Sequence, residues 1–150
     1  MGNTLSGNDV VIINLRTLTD FADAKCTEIL FPNELANVKT GKNGNAIFGQ
    51  NWTGEQCEVN LRLLRGSGDD KFLNGLLILQ KTAFASTVLM QGEYLKKLGD
   101  GVGNLTSDIY VLSNGIFMKN VEAQTDAEGT PEQSVAIYKM KFSWAPRSIT

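Results

Sequence analysis

The chain contains no histidine. Ser-His-Asp and Cys-His nucleophilic catalysis, imidazole general bases and histidine zinc sites are therefore closed to it. Asp69-Asp70 offers two adjacent carboxylates, the donor type a hard cation takes. No further acid follows at EF-hand spacing, and the start of a helix accounts for both. Gly99-Asp100-Gly101-Val102-Gly103 resembles the front of a phosphate-cradling loop. It has no strand immediately before it and no Gly-Lys-Ser/Thr after it, so a flexible connection is expected. A catalytic serine would need a lysine or carboxylate base at a recognisable spacing, and there is none. Lys96-Lys97 and the pair Lys139 and Lys141 lack interleaved aromatics, which makes them solvated or interface lysines and not a nucleic-acid patch. The expectation is no catalytic residue, no metal site, no cofactor and no enzyme activity.

Cys26 and Cys57 are too few for a disulfide scaffold and are expected to be unpaired, on strands, in a chain that folds in a reducing cytoplasm. Fourteen Lys and Arg against sixteen Asp and Glu leave a net charge of −2, with the signs interspersed. No basic block is present to wrap a phosphate backbone. Asn51-Trp52-Thr53 and Asn104-Leu105-Thr106 match the glycosylation pattern, but no charged start followed by an apolar run precedes them. Met1-Gly2 with Ser6 meets only the minimal myristoylation pattern. Leu76-Leu77-Ile78-Leu79 is far too short to span a bilayer.

The elements that would position these residues are mostly strands. With 150 residues and 42% hydrophobic content, one domain over residues 1–150 can bury a real core. Fifteen glycines against three prolines suit many turns between short strands. Gln56 to Arg65 alternates Cys57, Val59, Leu61 and Leu63 with polar residues, and the last strand alternates Ala136, Tyr138, Met140, Phe142 and Trp144 with lysines and serine. Weaker strands are Val10 to Leu18, Lys25 to Phe31, Phe84 to Met90, Ile109 to Leu112 and Ile116 to Glu122. Ser113-Asn114-Gly115 between the last two reads as a hairpin turn. One helix is expected at about 69–80, capped by Ser67 or Asp69, with Phe72, Leu73, Leu76, Leu77 and Leu79 on its buried face. A weak second helical piece covers Gly92 to Leu98. The fold class is mainly β: an antiparallel sandwich or barrel of six to seven strands with one flanking helix.

Two segments lack a role inside a monomer. Gln124 to Gln133 is a polar stretch before the last strand. Thr40 to Glu55 is Gly/Asn-rich yet carries Ile47, Phe48 and Trp52, and long loops with aromatics tend to make contacts. A compact β core with such a loop and no chemistry fits an assembly subunit.

The order of features resembles a contractile-tailed bacteriophage tail tube protein, the small β-sandwich family related to prophage structural proteins. The resemblance runs from about Val10 to Trp144. An opening strand leads into Phe21-Ala22-Asp23-Ala24. A second strand ends in Gly41-Lys42-Asn43-Gly44, and Asn51-Trp52-Thr53-Gly54 precedes the alternating strand to Arg65. The turn Gly66 to Asp70 and the helix through Leu77 follow, with two or three closing strands. The resemblance implies hexameric rings stacked into a tube whose electronegative lumen conducts genomic DNA without binding it. It also implies a tail sheath, a baseplate or tube initiator, and a tail terminator as partners. The subunit would be made in the bacterial host cytoplasm and end in the virion tail, with Thr40 to Glu55 reaching the neighbouring ring through Ile47, Phe48 and Trp52. The inner tube of a bacteriocin or secretion machine shares this architecture. From another class, a monomeric β-sandwich module could bind a carbohydrate or peptide on Trp52 and Phe48.

Overall fold

The computed structural model describes residues 2–22, 26–123, 125 and 131–150. Its first hairpin joins β1 (Thr4–Ile13) to β2 (Arg16–Leu18) through Asn14 and Leu15, at φ 48° and 68°. Positive φ at both turn residues matches the twist of the flanking strands. Left-handed backbone at a leucine is costly, and Asn14 offsets it: its amide donates to Gln91 O at 2.8 Å and its Oδ1 accepts from Gln91 N at 3.0 Å. After these come β3 (Thr27–Leu30), β4 (Ala36–Thr40), β5 (Ala46–Gln50), a 3-10 turn (Trp52–Glu55) and β6 (Cys57–Leu64). The helix α1 (Gly68–Thr82) is followed by a 3-10 turn (Phe84–Ser86), β7 (Met90–Gly99), β8 (Leu105–Phe117) and β9 (Glu122–Ala123). A last 3-10 turn (Pro131–Ser134), β10 (Val135–Trp144) and β11 (Arg147–Ile149) complete the described chain.

The architecture is mainly β and antiparallel with α1 on one flank, as the alternation and the single amphipathic segment imply. The main sheet runs β2-β1-β7-β8-β10-β6-β3, with β11 added to β8 and β9 to β10, while β4 and β5 form a separate pair. The strand number exceeds six or seven because several short pairings lie beyond the reach of periodicity. Past β2, Phe21 bridges Leu63, Leu64 N donates to Asp20 O at 2.8 Å and Ala22 N donates to Arg62 O at 2.9 Å. The segment following one end of the sheet thus pairs with β6 near the other, and the sheet wraps its core.

Alternate residues fill that core: Val11 and Ile13 of β1, Cys57, Val59, Leu61 and Leu63 of β6, and Ala136, Tyr138, Met140 and Phe142 of β10. Leu73 and Leu77 of α1 close it from the side. Trp144, expected on the same face, is partly exposed. Both cysteines are free, and burial pushes the Cys57 thiol up to about 12, which keeps it protonated and inert.

Ser67 is the cap of α1, accepting from Asp70 N at 3.2 Å. Asp69 does more than favour the helix dipole. Its carboxylate is 1% exposed and accepts from Arg16 Nε at 2.9 Å, Thr19 N at 2.6 Å and Asp20 N at 2.8 Å. Burial raises its pKa, but the two amides and the guanidinium outweigh that and hold it below the ordinary carboxylate value. Asp70 receives the Tyr138 hydroxyl on its carboxylate, tying the helix start to β10. At the other end Gln80 donates from Nε2 to Phe117 O and accepts from Phe117 N, both at 2.9 Å, in place of a strand partner.

Six expectations need correction. Val10 to Leu18 is not one strand but the end of β1, the turn at Asn14-Leu15 and β2. Leu79 does not join the buried face of α1 but is exposed. Gly92 to Leu98 is not helical but lies in β7, where Tyr94 faces Tyr110 with ring centroids 6.0 Å apart and Lys96 pairs with Asp9 at 2.9 Å. Phe84 to Met90 is a 3-10 turn and a connection, and the strand begins only at Met90. Asn114-Gly115 is not a hairpin turn: β8 runs straight through it. Asn114, at φ 56°, takes up one extra residue as a bulge between the Met90–Gly115 and Gly92–Leu112 pairs. Gly115 there lies against the Phe142 ring, where a Cβ has no room. Finally, Thr40 to Glu55 is not irregular but holds the turn and second strand of the β4–β5 hairpin. Of the segments Lys25 to Phe31, Phe21 to Ala24 and Gln124 to Gln133, residues 23–25, 124 and 126–130 lie outside the described residues.

Asp69→Asn should destabilise the protein by about 2–3 kcal/mol in urea melts, since it removes the charge from three hydrogen bonds. A depressed folded-state pKa means that Asp69's contribution is complete above the ordinary value of 3.8 and is lost as pH falls through the lower folded value. Stability of the native chain should therefore drop in that acid range, and Asp69→Asn should show a flatter profile there. Leu61→Asp should leave no soluble, cooperatively melting protein, because it puts a charge at a fully buried core position.

Candidate functional site

The β4–β5 hairpin is an arm. Its register pairs Val38 with Phe48, Lys39 with Ile47 and Thr40 with Ala46. Because side chains alternate, Val38 and Phe48 share one face with Ala36 and Ala46, while Lys39 and Ile47 share the other. The tip turn closes through Gly41 N to Asn45 O at 2.7 Å and Gly44 N to Gly41 O at 3.0 Å, with Gly44 at φ 87°. A left-handed position of that kind suits glycine.

The root is fixed by hydrogen bonds. Asn51 N donates to Leu35 O at 2.7 Å, and Asn51 Oδ1 accepts from the Thr53 hydroxyl at 2.8 Å. Asn33 Nδ2 donates to Thr53 O at 3.3 Å. Gly54 is buried against the opposite strand of the root, and a Cβ there would sit 2.5 Å from Glu34 O. The Asn51-Trp52-Thr53-Gly54 motif is therefore a clamp that sets the direction of the arm.

On this scaffold Ile47, Phe48 and Trp52 are 77%, 75% and 66% exposed. The structure separates them: Phe48 and Ile47 stand on opposite faces of the arm, and Trp52 lies in the turn at its root. Leu35 and Val38 are exposed beside them and were missed. Their signal was the alternation of Ala36, Val38 and Thr40 ahead of the Gly41 to Asn45 turn. The arm's only charges between Glu34 and Glu55 are Lys39 and Lys42. The arm exposes apolar side chains on both faces, Val38 and Phe48 on one and Ile47 on the other, and carries positive charge.

The other motifs have local explanations. A strand does run directly into Gly99-Asp100-Gly101-Val102-Gly103, since β7 ends at Gly99, yet the segment is a plain β7–β8 connection. Asp100 closes it, its Oδ1 accepting from Val102 N at 2.8 Å and Asn104 N at 3.1 Å. Those bonds, the Val102 amide first, hold its carboxyl below the usual range. Lys139 pairs with Glu122 at 3.4 Å. Among the described residues no three Cys, Asp or Glu side chains gather as a metal cluster. Among them, too, no helix is long and apolar enough to cross a membrane.

No protein-family model matches the sequence, and no curated protein is similar to it. Among solved structures, the chain is similar to one in the cryo-EM structure of the anti-feeding prophage baseplate, 6-fold symmetrised. The identity is 9%, the TM-score 0.44, and the match covers 95% of this chain and 90% of that one.

Gly54→Ala should re-seat the arm without unfolding the body. Limited proteolysis between residues 36 and 50 should accelerate and the Trp52 fluorescence maximum should move, while the melting transition of the core shifts little. An unchanged cleavage pattern would show that the clamp does not set the arm.

Proposed function

We propose that the chain is a structural subunit of a phage tail tube. Six copies form a ring, rings stack, and the lumen conducts DNA during ejection. A tail sheath surrounds the tube, with a baseplate or tube initiator at one end and a terminator at the other. The subunit is made in the host cytoplasm and ends in the virion; it is a structural component and not an enzyme. The inner tube of a bacteriocin or secretion machine is the same reading with different cargo.

The arm carries this reading. A two-stranded hairpin standing by itself is only marginally stable in water, and this one exposes aliphatic and aromatic side chains on both faces. Such a surface gains its stability from a neighbour, and aromatic anchors concentrate the energy of an interface. If the resemblance of its sequence features to tail tube proteins holds, this arm corresponds to the long loop that reaches the neighbouring ring in that family. Open strand edges point the same way, since closing copies into a ring pairs edges that otherwise template uncontrolled association. β3 pairs with β6 on one side and has no strand on the other among the described residues.

Phe48→Ala with Trp52→Ala should leave the far-ultraviolet spectrum unchanged and abolish rings or tubes in negative-stain images. Truncating one interface anchor costs about 2 kcal/mol or more, and each ring junction repeats the loss. Normal tubes from the double variant would remove the arm as the joint. A strictly monomeric 16.4 kDa chain that binds a carbohydrate or peptide through Trp52 and Phe48 would replace the tube with a binding module.

A further inference from the structure

Two apolar features lie at opposite ends of the β7–β8 ladder, apart from the arm. At one end is a tip, where Thr4 pairs with Gly99, Leu5 with Leu98 and Gly99 with Leu105. Leu5, Val102 and Leu105 are exposed on it, Val102 at 80%. The tip is held in shape by Asp100, whose Oδ2 also accepts from Asn104 Nδ2 at 2.8 Å. At the other end is a cleft of about 220 Å³ between the end of α1, the connection before β7, and β8. Met90 and Phe117 form its buried floor, and Leu76, Leu79, Ala83 and Val88 are among its walls.

We propose that the tip of one copy seats in the cleft of the next, head to tail. Size favours this occupant. The cleft is smaller than the ~300 Å³ or more of a small-molecule pocket, which leaves room for one or two aliphatic side chains such as Val102 and Leu105. Charge favours it as well. Asp100 is the only charged residue from 98 through 107, and Lys81 is the only one from 72 through 92. Lys81 lies outside the lining, in the last turn of α1 between the lining residues Gln80 and Ala83. Seating the tip therefore sets one carboxylate near the helix end that carries one ammonium, with no like charge from either segment. Direction sets the outcome. Met90 and Gly99 are the two ends of β7, roughly 30 Å apart at ~3.3 Å per residue. The two surfaces differ, so the contact is heterologous and repeats along an axis unless a rotation closes it. This joint is separate from the arm and stands or falls without it.

The test places a benzophenone photo-crosslinking residue at position 102 of the full chain and maps adducts by mass spectrometry across a concentration series. Position 102 is exposed, so the melting temperature should be unchanged. Concentration-dependent adducts to residues 76–90 of a second copy are expected, and Lys81→Glu should reduce their yield several-fold. Adducts elsewhere, adducts only within one chain, or no adducts would overturn the proposal. The same probe at position 48 reports the arm. Intermolecular adducts from 48 without those from 102 reject the head-to-tail joint and leave the tube reading in place. Adducts from 102 without those from 48 support the joint and count against the arm.

Discussion

The Asp69 carboxylate accepts from two consecutive amides, those of Thr19 and Asp20, and from the Arg16 guanidinium. Those residues lie where the chain passes from β2 towards β6. Upstream of the passage β1 and β2 sit on the β7 side of the sheet; downstream, Phe21 and Ala22 pair with β6. Because Asp69 is also in the first turn of α1, one group fixes both the seam of the sheet and the seating of the helix. Leu73 and Leu77 then close the core on the side where α1 packs against β6 and β8. Three charge-assisted bonds at one buried atom pair are strong relative to neutral ones, and a sandwich of this size has limited burial to draw on.

Body and arm follow opposite rules. In β6 and β10 each strand turns one apolar face inward and one polar face outward, so the body is self-sufficient. In β4 and β5 neither face is covered, and only the root, clamped by Asn33, Asn51 and Gly54, is fixed to the body. The arm has a hydrogen-bonded base and two uncovered faces.

β6, β10 and α1 were legible in the sequence because each has one buried face and its own period. β7 was not, because both of its faces carry apolar residues; in β8 the pieces Ile109 to Leu112 and Ile116 to Phe117 were legible as strands, but not their continuity. Val11, Tyr94 and Tyr110 share the inward face, while their neighbours Val10, Leu95 and Ile109 align on the other. With period two erased, Gly92 to Leu98 looked helical. Asn114-Gly115 misled for a different reason: a left-handed Asn-Gly serves a bulge as well as a turn, and local sequence does not say whether a partner strand continues past it. The real turn at Asn14-Leu15 has no glycine and depends on Gln91, 77 residues away in sequence. Exposure of Ile47, Phe48 and Trp52 was legible from their polar, glycine-rich setting, whereas the pairing that separates Ile47 from Phe48 was not. Asp69 was recognised as a helix-start residue, but its partners Thr19 and Asp20 come from a distant segment.

Gln80 occupies both backbone groups of Phe117 and so withdraws the cleft-facing edge of β8 from main-chain pairing, while the other edge stays paired with β10. A visitor to the neighbouring cleft meets a largely apolar lining, and is read by bulk and shape more than by backbone register. Under mutational drift the two kinds of position would age differently. Aliphatic exchanges among the visiting residues are nearly silent, since volume-conserving apolar swaps cost little. Gln80 has no such freedom: glutamate keeps the length but loses the donor to the Phe117 carbonyl, and leucine loses both bonds.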